Sequence, residues 1–222
     1  MSVILGDTVI EPIVASWESA IDCHIRDFLS NRDNVWKVVG LDIERTFLED
    51  SHETEDRREG SRWSNKNMNE RNVAVADSEM KSRVAILQLC DGVTCLIIQL
   101  PGLNFMPNSL LNFLQLPDFT FVGIGIKDTV AKLEREHGLG CKNAVELGQL
   151  AAGVMQMPHL AACGLDVLAN MVEPLRLEKP TSVVFSDWGK QILNKKQIKF
   201  AAANVFAYFK IGTKLVSGQI SN

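Results

Sequence analysis

No two of the five cysteines (Cys23, Cys90, Cys95, Cys141, Cys163) stand at C-x-x-C spacing. The usual sequence signature of a zinc or dithiol redox site is therefore missing. Their scatter and odd number predict reduced, mostly buried thiols in a cytoplasmic or nuclear protein. Long apolar runs are missing too. No window reaches 18 uninterrupted apolar residues, so no membrane span is expected. The opening segment, MSVILGDTVIEPIV, has no basic start and is broken by Asp7 and Glu11, so no signal peptide is expected. An excess of positive charge is absent as well. The net charge is -4, whereas a dedicated duplex binder is usually basic. A local basic stripe would still suffice to hold nucleic acid.

What is present is core-forming mass. The chain has 222 residues, 46% of them hydrophobic, which predicts one ordinary domain over residues 1–222. Residues 7–14 read as a strand or hairpin arm. SWESAIDCHIRDFLS places Trp17, Ala20, Ile21, Ile25 and Phe28 at helical spacing. WKVVGLDIE is β-branched and apolar, a central strand. Residues at about 48–80 are polar, charged and aperiodic, and read as an exposed insertion between two strands. SRVAILQLCDG and VTCLIIQL form a hairpin around Asp91-Gly92. A short helix after Pro107, a buried strand over 119–126 and a helix opening at Asp128 and capped by Gly138 follow. AVELGQLAAGVM, GLDVLANMV and SDWGKQIL read as further helices. NKKQIKFAAANVFAYFKIG reads as the last long one, ending at Gly212. Strands dominate the first half and helices the second, which argues for a mixed sheet flanked by helices in one α/β domain.

Two acids stand out on the central strand. Asp42 and Glu44 are at i and i+2, so both side chains share a sheet face. Buried together, each loses hydration and needs a cation or a hydrogen-bonding partner. Two readings stand for the pair: a metal site, or a strand emerging into solvent with Arg45 as counter-ion. Asp128 is equally open, because an acid at a helix start also favours the positive end of the helix dipole.

Three segments, VVGLDIE, FVGIGIKDTVAKL and SDWGKQILNKKQIKFAAANVFAY, occur in this order. Together they resemble the three motifs of the DnaQ-like 3′–5′ exonucleases, DEDDy type. The subgroup is that of Werner-syndrome-type exonuclease domains and their small plant relatives. The third segment is the most specific, with Ser-Asp-Trp, Leu193, Gln197 and the Ala201-Ala202 pair all in place. The resemblance implies a ribonuclease H-like fold, a five-stranded mixed sheet with helices on both faces. It also implies hydrolysis of nucleotides from 3′ ends with two divalent ions, Mg2+ or Mn2+. The family's first Asp and its Glu fall on Asp42 and Glu44, and its second-motif Asp on Asp128. Its tyrosine position holds Phe200 and its last Asp position holds Asn204.

Those two departures have chemical consequences. Two ions about 3.5–4 Å apart clamp the attacking and leaving oxygens of a phosphodiester. Carboxylates supply hard oxygen ligands and neutralising charge. Asn204 keeps an oxygen and loses the charge. Phe200 keeps the volume of a tyrosine and loses the hydroxyl; a lost proton-handling group costs about 100- to 10,000-fold in rate. Two functions follow as expectations. One is an exonuclease of weakened activity on single-stranded RNA or DNA, with Asp42, Glu44, Asp128, Asn204 and Phe200 in the site. The other is a pseudo-exonuclease that binds nucleic acid or a partner nuclease without cutting.

Lys190, Lys195, Lys196 and Lys199 cluster around the third motif. They read as phosphate contacts beside the acids, or equally as a solvated face. The resemblance also implies a homo-oligomer, since small plant members include hexameric rings. The apolar C-terminal helix would serve an interface as well as a core.

Overall fold

A computed structural model of the chain describes residues 2–5, 8–47 and 82–219. The polar insertion expected at about 48–80 lies outside the described residues. The central strand, β4 (Val38–Phe47), follows two short strands β1 (Val3–Leu5) and β2 (Thr8–Ile10), an edge strand β3 (Pro12–Ala15) and helix α1 (Glu18–Ser30). The hairpin β5 (Ser82–Cys90) and β6 (Cys95–Gln99) comes next, then α2 (Asn108–Leu114), β7 (Thr120–Gly123) and α3 (Ile126–His137). The chain continues through β8 (Ala144–Glu146), α4 (Leu147–Val154), α5 (Leu165–Val172), α6 (Thr181–Val184) and α7 (Lys195–Ser217).

The sheet is mixed, in the order β3-β6-β5-β4-β7-β8. It has six strands where five were expected. The sixth is β3, which pairs parallel to β6 and extends that edge. Its neighbours β5 and β4 run antiparallel, and β7 and β8 run parallel to β4. Period-two alternation divides β4 between two cores. Val39 and Leu41 pack with α1, α2 and α3, joined by Phe28, Phe113, Phe121 and Leu133. Val38 lies on the other face, with α4, α5 and α7.

Several elements differ from the sequence reading. Ala144–Glu146 is a strand, because its backbone pairs with β7, so the helix expected from Ala144 starts only at Leu147. SDWGKQIL is a turn segment with Trp188 buried as an anchor, not a helix. Asn194 forms a full capping box with Gln197, so α7 starts there. It then passes Gly212 and stops at a left-handed Gly218. Thirteen of its residues are buried, so this helix is core rather than a free interface. Cys90 lies opposite Cys95 in the β5–β6 register and the two form a disulfide, against the expectation of reduced thiols. Cys23, expected among the buried thiols, is exposed.

The packing of α7 on β4 depends on two glycines. A Cβ on Gly40 would stand 2.2 Å from the Val205 carbonyl oxygen. A Cβ on Gly212 would meet Val122 at 2.7 Å and Val38 at 3.1 Å. As β4 runs from Asp42 back to Val38, the helix runs forward from Val205 to Gly212, so the two are antiparallel. Gly40→Ala is expected to destabilise the fold by about 1–3 kcal/mol or more, the range for overpacking a rigid core, because the clash is with backbone. Urea unfolding of the variant against the parent chain measures it.

Candidate active site

Strand alternation continues from Val38 and Gly40 to Asp42 and Glu44, so both acids face α7. Both are partly accessible. Arg45 points elsewhere. It donates to Glu136 at 3.0 Å and to Ser82, so it is not the counter-ion of the pair. Burial pushes the Asp42 carboxyl up to about 7, against smaller lowering effects of the Ile43 amide and the Tyr208 hydroxyl. Burial pushes Glu44 up to about 8, and the neighbouring Asp42 adds to the rise.

The residue that meets Asp42 from α7 is Tyr208, which the sequence reading did not assign to the site. Its hydroxyl acts on the Asp42 carboxyl, opposing part of the rise that burial causes. The ring is buried, 7% exposed, and packs with the α4–α5 core. Burial drives its phenol well above the ordinary value, and Asp42, Glu44 and Glu146 push it further. One signal was available: Tyr208 is the single tyrosine of the chain and stands one helical turn after Asn204.

Two buried amides complete this layer. Asn204, 7% exposed, has its Oδ1 without a hydrogen-bond partner. Gln88, fully buried, lies directly opposite Asp42 in the β4–β5 register, and neither of its amide atoms is partnered. Buried polar atoms without partners cost about 1–3 kcal/mol each, so such groups mark a place where water or an ion belongs.

The other expected site residues lie apart. Asp128 is exposed in the first turn of α3. That helix turns Ile126, Thr129 and Leu133 inward, at i, i+3 and i+7, which leaves position 128 outward. Its N-terminal amides at Gly125 and Ile126 donate to Glu146, at 3.0 Å each. Phe200 sits in an apolar cluster with Ile86, Ile97 and Trp188, its ring centroid 6.2 Å from that of the tryptophan. Asp187, in the turn before α7, accepts from Thr46 Oγ1 at 2.7 Å and from the Gly189 amide at 2.9 Å. Among the described residues no three Asp, Glu, His or Cys side chains form a group able to hold a metal ion. The residues as placed do not fit the two-ion, four-carboxylate arrangement.

The lysines are exposed but divide. Lys196 and Lys199 line a cavity of about 380 Å³ with Arg176, over a floor that includes Leu5, Phe200 and Ala203. Lys199 is tied to Glu178 at 2.9 Å. Lys190 borders a smaller cavity of about 180 Å³ beside Trp188 and Gln99. Lys195 lines neither cavity, and neither contains Asp42 or Glu44.

A family model described as 3′–5′ exonuclease matches residues 70–218, more than half of the chain. The chain belongs to the 3′–5′ exonuclease family. Asp42 and Glu44 precede the matched stretch of this exonuclease model, whereas Asp128, Phe200, Asn204 and Tyr208 fall inside it.

Curated relatives agree with that placement. The chain is 28% identical over 128 residues to the exonuclease 3′–5′ domain-containing protein 2 of Homo sapiens, covering 54% of this chain and 20% of that protein. It is 26% identical over 129 residues to a 3′–5′ exonuclease of Arabidopsis thaliana, covering 58% and 44%. The RISC-interacting clearing 3′–5′ exoribonuclease 1 of the same plant is 28% identical over 123 residues, covering 54% and 60%. The match thus spans less than half of the first two relatives.

Solved structures agree on the fold. The chain superposes on Escherichia coli RNase D with a TM-score of 0.65 at 16% identity, covering 94% of this chain and 45% of that one. For the catalytic core of RRP6 from Trypanosoma brucei the TM-score is 0.62 at 11% identity, covering 93% and 46%. The mixed sheet flanked by helices is therefore a fold shared with these structures.

Among the described residues no helix is long and apolar enough to cross a membrane. Without metal, the folded domain holds protons on Asp42 and Glu44 that the unfolded chain releases at ordinary carboxylate pH. Its stability is therefore expected to fall as pH rises from the ordinary carboxylate range through about 7 and about 8, and to level off above. Urea unfolding in EDTA across that range measures the slope. The Asp42→Asn, Glu44→Gln double variant should flatten it.

Proposed function

We propose that this exonuclease-family domain binds the 3′ ends of single-stranded RNA or DNA without hydrolysing them efficiently. The charge inventory of the centre carries this reading. Asp42 and Glu44 are the two carboxylates on its sheet face, amides stand at positions 88 and 204, and Asp128 is outward. In the family, divalent ions supply the charge that offsets a phosphodiester's developing negative charge and an activated water. Here the two raised carboxyls share protons near neutral pH, and once ionised they repel the phosphate. The hydroxyl expected at position 200 is replaced by an apolar ring in the Trp188 cluster. Binding is supported by Arg176, Lys196 and Lys199 around a cavity with an apolar floor, which suits a phosphate backbone with a stacked base. Self-association is supported by Phe185 and Ile192, 76% and 82% exposed on the segment before α7.

Labelled single-stranded RNA and DNA, incubated with Mg2+ or Mn2+, test the reading. The expected result is binding by fluorescence anisotropy without a 3′–5′ ladder above that of Asp42→Ala. A ladder in the parent chain that Asp42→Ala abolishes would overturn it. Lys196→Glu and Lys199→Glu together should weaken binding and flatten its salt dependence by roughly 0.7 in log–log slope per lost phosphate contact. Sedimentation velocity tests self-association: an oligomer at micromolar concentration should shift toward monomer in Ile192→Glu.

A further inference from the structure

We infer that the cavity between α7 and β1 holds one nucleoside phosphomonoester, on the side of α7 turned away from the sheet that carries Asp42 and Glu44. The inference rests on the reading of this cavity as a nucleic-acid contact. It deepens that reading by naming the chemical unit the cavity takes and its separation from the acid pair.

The placement follows from the helix. Val205 and Gly212 face the sheet, the first against Gly40 and the second against Val38 and Val122. At 3.6 residues per turn, Lys196, Lys199 and Ala203 come out roughly opposite that stripe. They line the cavity together with Phe200. One wall is Ile4 and Leu5 of β1, and Leu5 shares a cluster with Ala203. Another is the segment after α5, with Arg176, Glu178 and Pro180. Neither acid of the β4 pair borders this space.

Size, floor and charge name the ligand. The volume, about 380 Å³, lies within the range of small-molecule sites, about 300–1,000 Å³. Leu5, Phe200 and Ala203 are almost wholly buried, so the cavity ends on an apolar floor that includes one aromatic ring. A base can stack there, because every base has a π-face. The rim carries Arg176, Lys196 and Lys199 against the single carboxylate of Glu178, an excess of two positive charges. Glu178 is tied to Lys199 at 2.9 Å. Among the described residues no ion pair engages Arg176 or Lys196. A guanidinium fork and an ammonium lining one space suit the oxygens of a phosphate. A phosphomonoester carries a charge of about −1.5 to −2 at neutral pH, whereas each diester inside a strand carries one. The rim therefore matches the monoester, as found on a free nucleotide or on the phosphorylated end of a strand.

Calorimetry on the full chain in EDTA tests the inference, with 5′-AMP, adenosine and inorganic phosphate as titrants. AMP is expected to bind at one site per chain, tighter than adenosine or phosphate by roughly 10-fold or more. Arg176→Glu and Lys196→Glu, both at exposed positions, should each weaken AMP roughly 10–100-fold, the worth of one hydrogen bond to a charged group. No saturable AMP binding would overturn the inference. So would phosphate that binds as tightly as AMP, which marks a plain anion site. AMP binding that Asp42→Asn abolishes and Arg176→Glu spares would overturn it too, by placing the ligand at the acids. Competition against AMP by a 3′-phosphorylated single strand separates the sources: displacement assigns a strand end and its absence a free nucleotide, and either supports a monoester site. A strand without terminal phosphates that displaces AMP equally well refutes it. Strand binding without AMP binding leaves the proposed function standing, and AMP binding without strand binding overturns that function alone, so the two readings fail separately.

Discussion

The close approach of α7 to β4 is the contact on which the rest depends. A helix backbone can lie this near a strand only where the strand has no side chain, and Gly40 supplies that gap under Val205. Once α7 is seated there, everything on its lower face has a determined height above the sheet. Asn204 and Tyr208 are buried beneath it, while Phe200 is carried toward Trp188. The centre, the cavity beside Lys196 and the two halves of the core are all consequences of one helix crossing one strand.

The centre is polar without being charged in the way its family requires. Its two carboxyls and its phenol are held up by burial, the phenol further by the carboxyls, and its two amides are short of partners. Such a layer is internally consistent only when the acids are protonated or an ion arrives.

Much of this was legible in the residues. Period two on β4 put Asp42 and Glu44 on one face, and they are on one face. Apolar spacing located α1, α2, α3 and α7 to within a few residues, and the three ordered motifs led to the right family. The resemblance implies Asp128 as the second-motif acid, yet helical periodicity turns Thr129 inward instead. That follows from where α3 begins, at Ile126 after a left-handed Gly125, and strand ends are poorly marked in a sequence. β8 was read as helix because its three residues owe their conformation to pairing with β7, not to local preference. Cys90 and Cys95 were read as separate thiols, since only the hairpin register sets them face to face.

By itself the sequence determined the class of fold, the family, the acid pair and the absence of a tyrosine and an aspartate from positions 200 and 204. These are properties of local pattern and of residue identity, which survive any arrangement of the chain. Only the tertiary structure decided which groups meet. Tyr208 and Asp42 are far apart in sequence, and neither marks the other. Their proximity exists because Gly40 admits α7 to the sheet beside the strand that carries the carboxylate. Through-space juxtaposition of that kind has no one-dimensional signature, and it is what gives this centre its character.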